Sequence, residues 1–135
     1  MVESVFKEYG LWEQHRCGLD DLRQAPDSYA RRGGEFLVAE INGRVVGCGG
    51  LMPLKRGTAE VRRMYLLPKA RGKGLGATLL RRLISAARRG KFSRLVLETS
   101  PRYQDAIALY LRNGFEACVL DDGGCCNVAM FRDLV

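Results

Sequence analysis

The chain has 135 residues, a mass of 15.1 kDa and a formal net charge of +7, a length that suits one domain over 1–135 able to bury a core without a disulfide or metal staple. No apolar run approaches the roughly 20 residues of a membrane helix, and the opening stretch, MVESVFKEYG, lacks the basic start and apolar core of a signal peptide. Five cysteines, an odd number, then fit reduced thiols in a cytoplasm, and a single histidine, His15, excludes a multi-histidine metal site, so no metal is expected.

Residues 4–24 are irregularly amphipathic and read as one or two helices interrupted at Gly10 or Gly18. Residues 25–34, with Pro26, Gly33 and Gly34, read as a loop. Glu35–Ile41 alternates as a strand, and Asn42-Gly43 is a type I′ hairpin signal because both central residues need positive φ. Arg44–Leu51 returns as the second strand, its glycines at 47, 49 and 50 pointing to a bulge or a close backbone approach. Pro53–Gly57 turns, and Thr58–Leu67 forms a third strand that Pro68 ends. A helix follows over Leu75–Arg89, with Leu75, Leu79, Leu80, Leu83, Ile84 and Ala87 on one face and Gly90 suited to the C′ position. Arg94–Thr99 is a strand, 100–103 a loop, and Gln104–Arg112 a helix stopped by Asn113-Gly114. Phe115–Leu120 and Cys126–Arg132 are strands joined through a turn at Asp121–Gly124. This element order predicts an α/β (α+β) fold with a mixed sheet and helices on its faces.

Charge is concentrated. Between Lys55 and Arg94 stand thirteen basic residues and one acid, Glu60, whereas the first forty residues hold eight acids against five bases. A concentrated basic field implies a polyanionic partner, either nucleic acid or a phosphate-bearing small molecule. The basic residues Arg81, Arg82, Arg88 and Arg89 also read as a solvated helix face. Nucleic acid is disfavoured because only Tyr65 and Phe92 could offer a base-stacking surface among them.

The segment Tyr65–Leu80, YLLPKARGKGLGATLL, carries the chemistry. A strand runs into a glycine-rich turn that opens a helix. The first amides of a helix have no intrahelical partner and lie at the positive end of its dipole. Gly72, Gly74 and Gly76 let a phosphate approach the backbone, and Arg71 and Lys73 add mobile positive charge, so the segment works as a pyrophosphate cradle. It is no Walker loop, since no Gly-Lys-Ser/Thr occurs. It partly matches a dinucleotide fingerprint through Gly72, Gly74 and Ala77. The arginines Arg62 and Arg63 in the preceding strand, the spacer Pro68–Arg71 and the preceding hairpin oppose that match.

At these residues the sequence resembles the GNAT superfamily of acyl-CoA-dependent N-acyltransferases. The family's Arg/Gln-x-x-Gly-x-Gly/Ala signature stands here from Arg71 to Gly76, and the stretch Ala106–Phe115, AIALYLRNGF, resembles the family's Ala-Ile-x-Leu-Tyr-x-x-x-Gly-Phe helix end. The similarity runs from about Glu35 to Phe131. The resemblance implies a splayed mixed sheet, acetyl-CoA as co-substrate and an amine acceptor, small molecule or peptide. It implies that main-chain groups of Met64, Tyr65 and Leu66 meet the pantetheine arm. Amides of Arg71, Gly72, Lys73, Gly74, Leu75, Gly76 and Ala77 would hold the pyrophosphate, and Tyr110 would lie near the sulfur. The chain departs from the family by opening in a helix, so that the first strand would be missing and a second copy could cover the edge as a homodimer. Tyr103-Gln104-Asp105 also replaces an Asn common before the Tyr-bearing helix.

Acyl transfer to an amine needs the neutral amine, and free alkylamines titrate near 10, so a base must assist. Glu60, on the strand bordering the cleft, is the first candidate and Glu98 the second; pairing with Arg62, Arg63 or Arg94 is the alternative use of each. The expected reaction is direct attack of the amine on the thioester. A strand amide near Leu66 would polarise the carbonyl, and Tyr110 would protonate the departing thiolate unless it simply packs in the core. The rival functions are a CoA-binding GNAT-like protein without catalysis and a basic nucleic-acid-binding module.

Overall fold

The structure, a computed structural model, describes residues 27–119 and 128–134. The helices expected over 4–24, the missing first strand and the turn at Asp121–Gly124 lie outside the described residues. The described residues begin with a short helix α1 (Asp27–Arg31), then strands β1 (Glu35–Ile41), β2 (Arg44–Pro53) and β3 (Thr58–Leu66). A 3₁₀ turn over Pro68–Ala70 leads to helix α2 (Leu75–Arg89), strand β4 (Arg94–Thr99) and helix α3 (Gln104–Arg112). Strands β5 (Glu116–Val119) and β6 (Val128–Asp133) complete a sheet of order β1-β2-β3-β4-β6-β5.

Local chemistry explains most of these boundaries. Asn42 and Gly43 both take positive φ, 51° and 78°, so the β1–β2 hairpin closes through the turn that matches strand twist. Helix α2 ends in a Schellman motif, with Phe92 N–H donating to Ala87 O at 3.1 Å and Lys91 N–H to Arg88 O at 3.0 Å. Gly90 is therefore not the C′ residue. Lys91 occupies that place at φ 62°, while Gly90 is right-handed and leaves room for the Phe92 ring. Helix α3 ends in the same motif, with Gly114 at φ 87° in the C′ place and Phe115 N–H donating to Tyr110 O at 3.1 Å. Residues 25–34 are not all loop, since α1 lies among them. Its Tyr29 is fully buried edge-on to Phe36, centroids 5.1 Å apart.

The core lies between the sheet and one helical layer. Leu80, Leu83, Ile84 and Ala87 of α2 pack with Leu51, Ala59, Val61, Leu95 and Leu97 of the sheet, and Tyr110, Phe115 and Met130 join them. Each fully buried leucine contributes roughly 1.5–3 kcal/mol. The helical spacing of the α2 residues and the alternation of the strands thus meet on one surface. Residues of opposite parity, Gly50 and Phe36, carry Tyr29 and α1 on the other face.

Two irregularities shape the centre of the sheet. Strands β3 and β4 run parallel but pair only from Thr58↔Arg94 to Glu60↔Val96. Beyond Glu60 they diverge, leaving a wedge between Val61–Leu66 and the end of β4. Within the same stretch β3 carries an extra residue. Cys48 faces Tyr65 and Gly50 faces Arg62, so Gly49 stands opposite both Arg63 and Met64. Arg63 sits at φ 55°, a left-handed conformation costly for a long side chain. Bulges of this kind bend a strand and increase its twist, which turns β3 away from β4.

Candidate active site

The wedge opens beside the start of α2. Leu67 N–H donates to Val46 O at 2.8 Å, so by strand alternation Tyr65 faces β2 while the main-chain groups of Met64 and Leu66 point into the wedge. Arg71 folds back over this edge: its Nε and Nη2 donate to Leu66 O at 3.1 and 2.9 Å. Its own amide donates to Pro68 O at 3.2 Å. Arg71 therefore fastens the turn to the strand instead of adding mobile charge, and its amide is already spent within the turn. Leu66 keeps its amide, not its carbonyl, toward the wedge.

The next residues are differently placed. Gly72 and Gly74 take positive φ, 77° and 80°, and a Cβ on either would meet nothing within 4 Å, so the turn is open to solvent. Gly74 is the N-cap of α2, no side chain caps the helix, and no acid stands in its first turn. The first internal bond is Thr78 N–H to Gly74 O at 3.1 Å. The amides of Leu75, Gly76 and Ala77 precede it and are uncapped among the described residues, aligned at the positive end of a fifteen-residue helix. Lys73 is exposed beside them. Gly76 is buried, and a Cβ there would lie 3.3 Å from Leu109 and 3.4 Å from Leu66, so its small size lets α2 approach both α3 and the wedge. These features fit a diphosphate.

The remaining sequence candidates spread around the wedge. Glu60 stands at its apex on the face away from α2, partly buried, with Oε1 engaged by Arg62 Nε. The pairing weighed for it from sequence is thus present. Glu98 is exposed on the corresponding face of β4, beyond the apex. Tyr110 is 5% exposed and sits edge-on to Phe115, centroids 5.7 Å apart. Burial raises its phenol far above the ordinary tyrosine range, so it stays protonated at neutral pH.

A polar cluster that the sequence pattern does not announce lies on the same face as Glu60. Burial also raises the Tyr65 phenol, and a hydrogen bond from Arg63 pulls it partly back, with Tyr103 close by. Cys48 donates its thiol to Arg63 O at 3.1 Å, and the Tyr65 backbone also bonds the sulfur. The signal was the pair Arg62-Arg63, which breaks strand alternation and marks the bulge.

An open, uncapped helix start beside a splayed β-strand is an arrangement that suits a nucleotide-type cofactor. A family model described as the acetyltransferase (GNAT) family matches residues 1–115. The chain belongs to that family and is a GNAT-type N-acetyltransferase. It is 37% identical over 148 residues to the uncharacterized N-acetyltransferase YjgM of Escherichia coli strain K12, covering 99% of this chain and 86% of that protein. It spans about half the length of other curated relatives it matches. Among solved structures, a GNAT-family acetyltransferase from Staphylococcus aureus Mu50 superposes with a TM-score of 0.87 at 22% identity, covering 99% of this chain and 89% of that one. A GNAT-family acetyltransferase from Elizabethkingia anophelis, with acetyl-CoA bound, does so at 0.65 and 22%, covering 84% of each chain. These likenesses match the mixed, splayed sheet expected from sequence.

Proposed function

We propose that this chain, as one domain over 1–135, transfers an acetyl group from acetyl-CoA to a primary amine by direct attack. The observation that carries this is the uncapped start of α2, with its open glycine turn, beside the β3–β4 wedge. Acetyl-CoA bound in the Elizabethkingia relative supports the donor. Amides of Gly72, Lys73, Gly74, Leu75, Gly76 and Ala77 hold the diphosphate, with Arg71 fixing the turn that presents them. Main-chain groups of Met64 and Leu66 line the pantetheine arm, those of Tyr65, expected there from sequence, being turned to β2, and the Leu66 amide polarises the thioester carbonyl. Glu60, directly or through water, takes the proton that the amine loses as its nitrogen bonds the acyl carbon. The carbon–sulfur bond breaks, and Tyr110 supplies a proton to the thiolate. Reduced cysteines support a cytoplasmic setting, with Cys48 and Cys118 both free thiols. A homodimer is part of this reading, supported by the exposed Val38 on β1, the outermost described strand, and the exposed Val45 at the start of β2.

The test is thiol release from acetyl-CoA across a panel of primary amines, in wild type and Tyr110→Phe. Release with at least one amine is expected. Tyr110→Phe should lower turnover 10-fold or more while acetyl-CoA affinity holds. Equal turnover in the variant removes Tyr110 from the acid role, and no release with any amine removes the transfer reading.

A further inference from the structure

We propose a second binding site, at the end of the sheet away from the wedge, for a phosphorylated polyol of the sugar-phosphate class: Arg56 and Arg94 take the phosphate, and Ser93 and Asp133 accept hydroxyls of the ligand.

The first observation is a cavity built by strand register. Thr58 pairs with Arg94, and Arg94 with Asp133, so residues at the ends of β3, β4 and β6 stand in one row across the sheet, on one face. Together with Ser93 and with Arg56 of the β2–β3 turn, they line a cavity of about 490 Å³. Small-molecule sites run from roughly 300 to 1,000 Å³. Strand β3 takes nine residues to pass from Thr58 to Leu66, so the cavity lies roughly 25 Å from the glycine turn and is separate from the donor site.

The second is how its donors are left. Asp133 accepts from Arg94 through Nε at 2.6 Å and Nη2 at 3.3 Å, and the guanidinium carbon lies 4.8 Å from the centroid of the Phe131 ring. The cation is thus held in place while the two N–H groups of Nη1 bond none of the described residues. The Arg56 guanidinium and the Thr58 hydroxyl likewise have no partner among the described residues. Two guanidinium groups and a hydroxyl around one space form a donor set that matches a phosphate.

The third is the backbone beneath Arg56. Arg56 and Gly57 are successive left-handed residues, at φ 61° and 73°, where a hairpin turn favours Asn-Gly. The turn is fastened to the start of β4: Gly57 O accepts the Ser93 N–H at 2.8 Å and the Ser93 hydroxyl at 3.3 Å. An arginine kept at a costly φ on a fixed turn, beside a cavity, points to function.

The fourth is the acceptor side. Ser93 Oγ spends its proton on Gly57 O and keeps its lone pairs. Each Asp133 oxygen accepts one N–H of Arg94 and has room for another donor. Inorganic phosphate would leave these acceptors unused, whereas a ligand with hydroxyls beside its phosphate meets both halves. Asp133 cancels the charge of Arg94 and leaves that of Arg56, with Lys55 and Lys91 exposed on the adjoining turns. That field suits a phosphate monoester of about −1.5 to −2 charge.

The experiment titrates glucose 6-phosphate, inorganic phosphate and glucose into the whole protein at constant ionic strength, followed by amide ¹H–¹⁵N shifts. Glucose 6-phosphate should move the amides of Arg56, Gly57, Thr58, Ser93, Arg94 and Asp133, and bind roughly 10-fold or more tightly than either other probe. Arg56→Asn suits the left-handed turn and keeps the fold. It should weaken this binding by roughly 10-fold or more while kcat/KM for acetyl transfer stays at the wild-type value. Thr58→Val, nearly isosteric, should weaken it less. Shifts confined to residues 72–77, an affinity unaltered in both variants, or glucose or inorganic phosphate binding as tightly as glucose 6-phosphate would each overturn the proposal. None of these outcomes bears on acetyl transfer.

Discussion

Cys48 shows how one side chain fixes the geometry of the β3 bulge. Its thiol is 1% exposed, donates to Arg63 O and receives the Tyr65 backbone, so it ties Arg63 within the bulge to Tyr65 just beyond it. Burial pushes the thiol up to about 12 from an ordinary 9.0, with the Tyr65 backbone and the Arg63 charge opposing only part of that rise. An unfolded thiol ionises near 9.0, whereas the folded one keeps its proton to about 12. The stabilisation is therefore complete below pH 9 and drains away as pH climbs from 9 toward 12. Ionisation also removes the donor to Arg63 O and sets an anion against that carbonyl. Urea midpoints for wild type and Cys48→Ala should accordingly converge between pH 8 and pH 10.5. A gap that stays constant across this range would show that Cys48 acts through packing alone. The buried Tyr110 adds an alkaline loss of the same sign, common to both proteins and therefore absent from the difference.

At the scale of elements, β2 is the strand against which β1 and β3 are registered. Its glycines are sites of close approach. A Cβ on Gly50 would lie 2.5 Å from Cε2 of Tyr29 and 3.2 Å from Cδ2 of Phe36. Tyr29 is fully buried and cannot swing clear without moving α1. Gly50→Ala should cost about 1–3 kcal/mol by overpacking. Pairing it with Tyr29→Leu, which vacates the ring position, should cost less than the sum of the single changes by at least about 0.5 kcal/mol in denaturant unfolding. Simple additivity would place the strain elsewhere. These contacts also show where sequence patterns stop being informative. The limits of β1, α2, β4 and α3 were legible because apolar period, hairpin chemistry and helix stops all act within a few residues. The glycines of β2 signalled closeness without naming the partner. Helix α1 was hidden in a stretch with Pro26 and two glycines because Tyr29, set by tertiary contact with Gly50 and Phe36, is what anchors it. The uncapped helix start was readable from Arg71–Ala77, since a helix start advertises its own amides. That Arg71 turns back onto Leu66, and that Arg63 occupies a bulge, depend on strand pairing between distant residues, which no local pattern encodes.

At the scale of the molecule, the splay of the sheet and the basic segment act together. The thirteen basic residues of 55–94 divide into uses. Arg62 and Arg94 are consumed by Glu60 and Asp133, and Arg89 contacts Glu35 at 3.4 Å. Lys69 stands exposed before the glycine turn and Lys73 exposed within it, where positive potential adds to the helix dipole and would draw a polyanionic donor toward the wedge. A donor that bridges the cradle and β3 ties α2 to the strand edge that β4 leaves unpaired, and so stabilises the whole domain by mass action. At a ligand concentration one hundred times Kd the gain is about 2.7 kcal/mol. In a domain of this size each kcal/mol moves Tm by roughly 3–5 °C, so acetyl-CoA should raise Tm by roughly 10 °C. The rise should shrink with added salt, because exposed lysines are screened within roughly 8–10 Å at physiological ionic strength. A pantetheine thioester lacking the nucleotide, at equal concentration, reaches only the strand edge and should give a small fraction of the effect. Gly74→Ala, which forces a Cβ into a left-handed N-cap at φ 80°, should lose most of the acetyl-CoA shift and leave the pantetheine response near its wild-type size. If acetyl-CoA and the pantetheine fragment raise Tm equally, the glycine turn holds no diphosphate, and the start of α2 loses its place in the site.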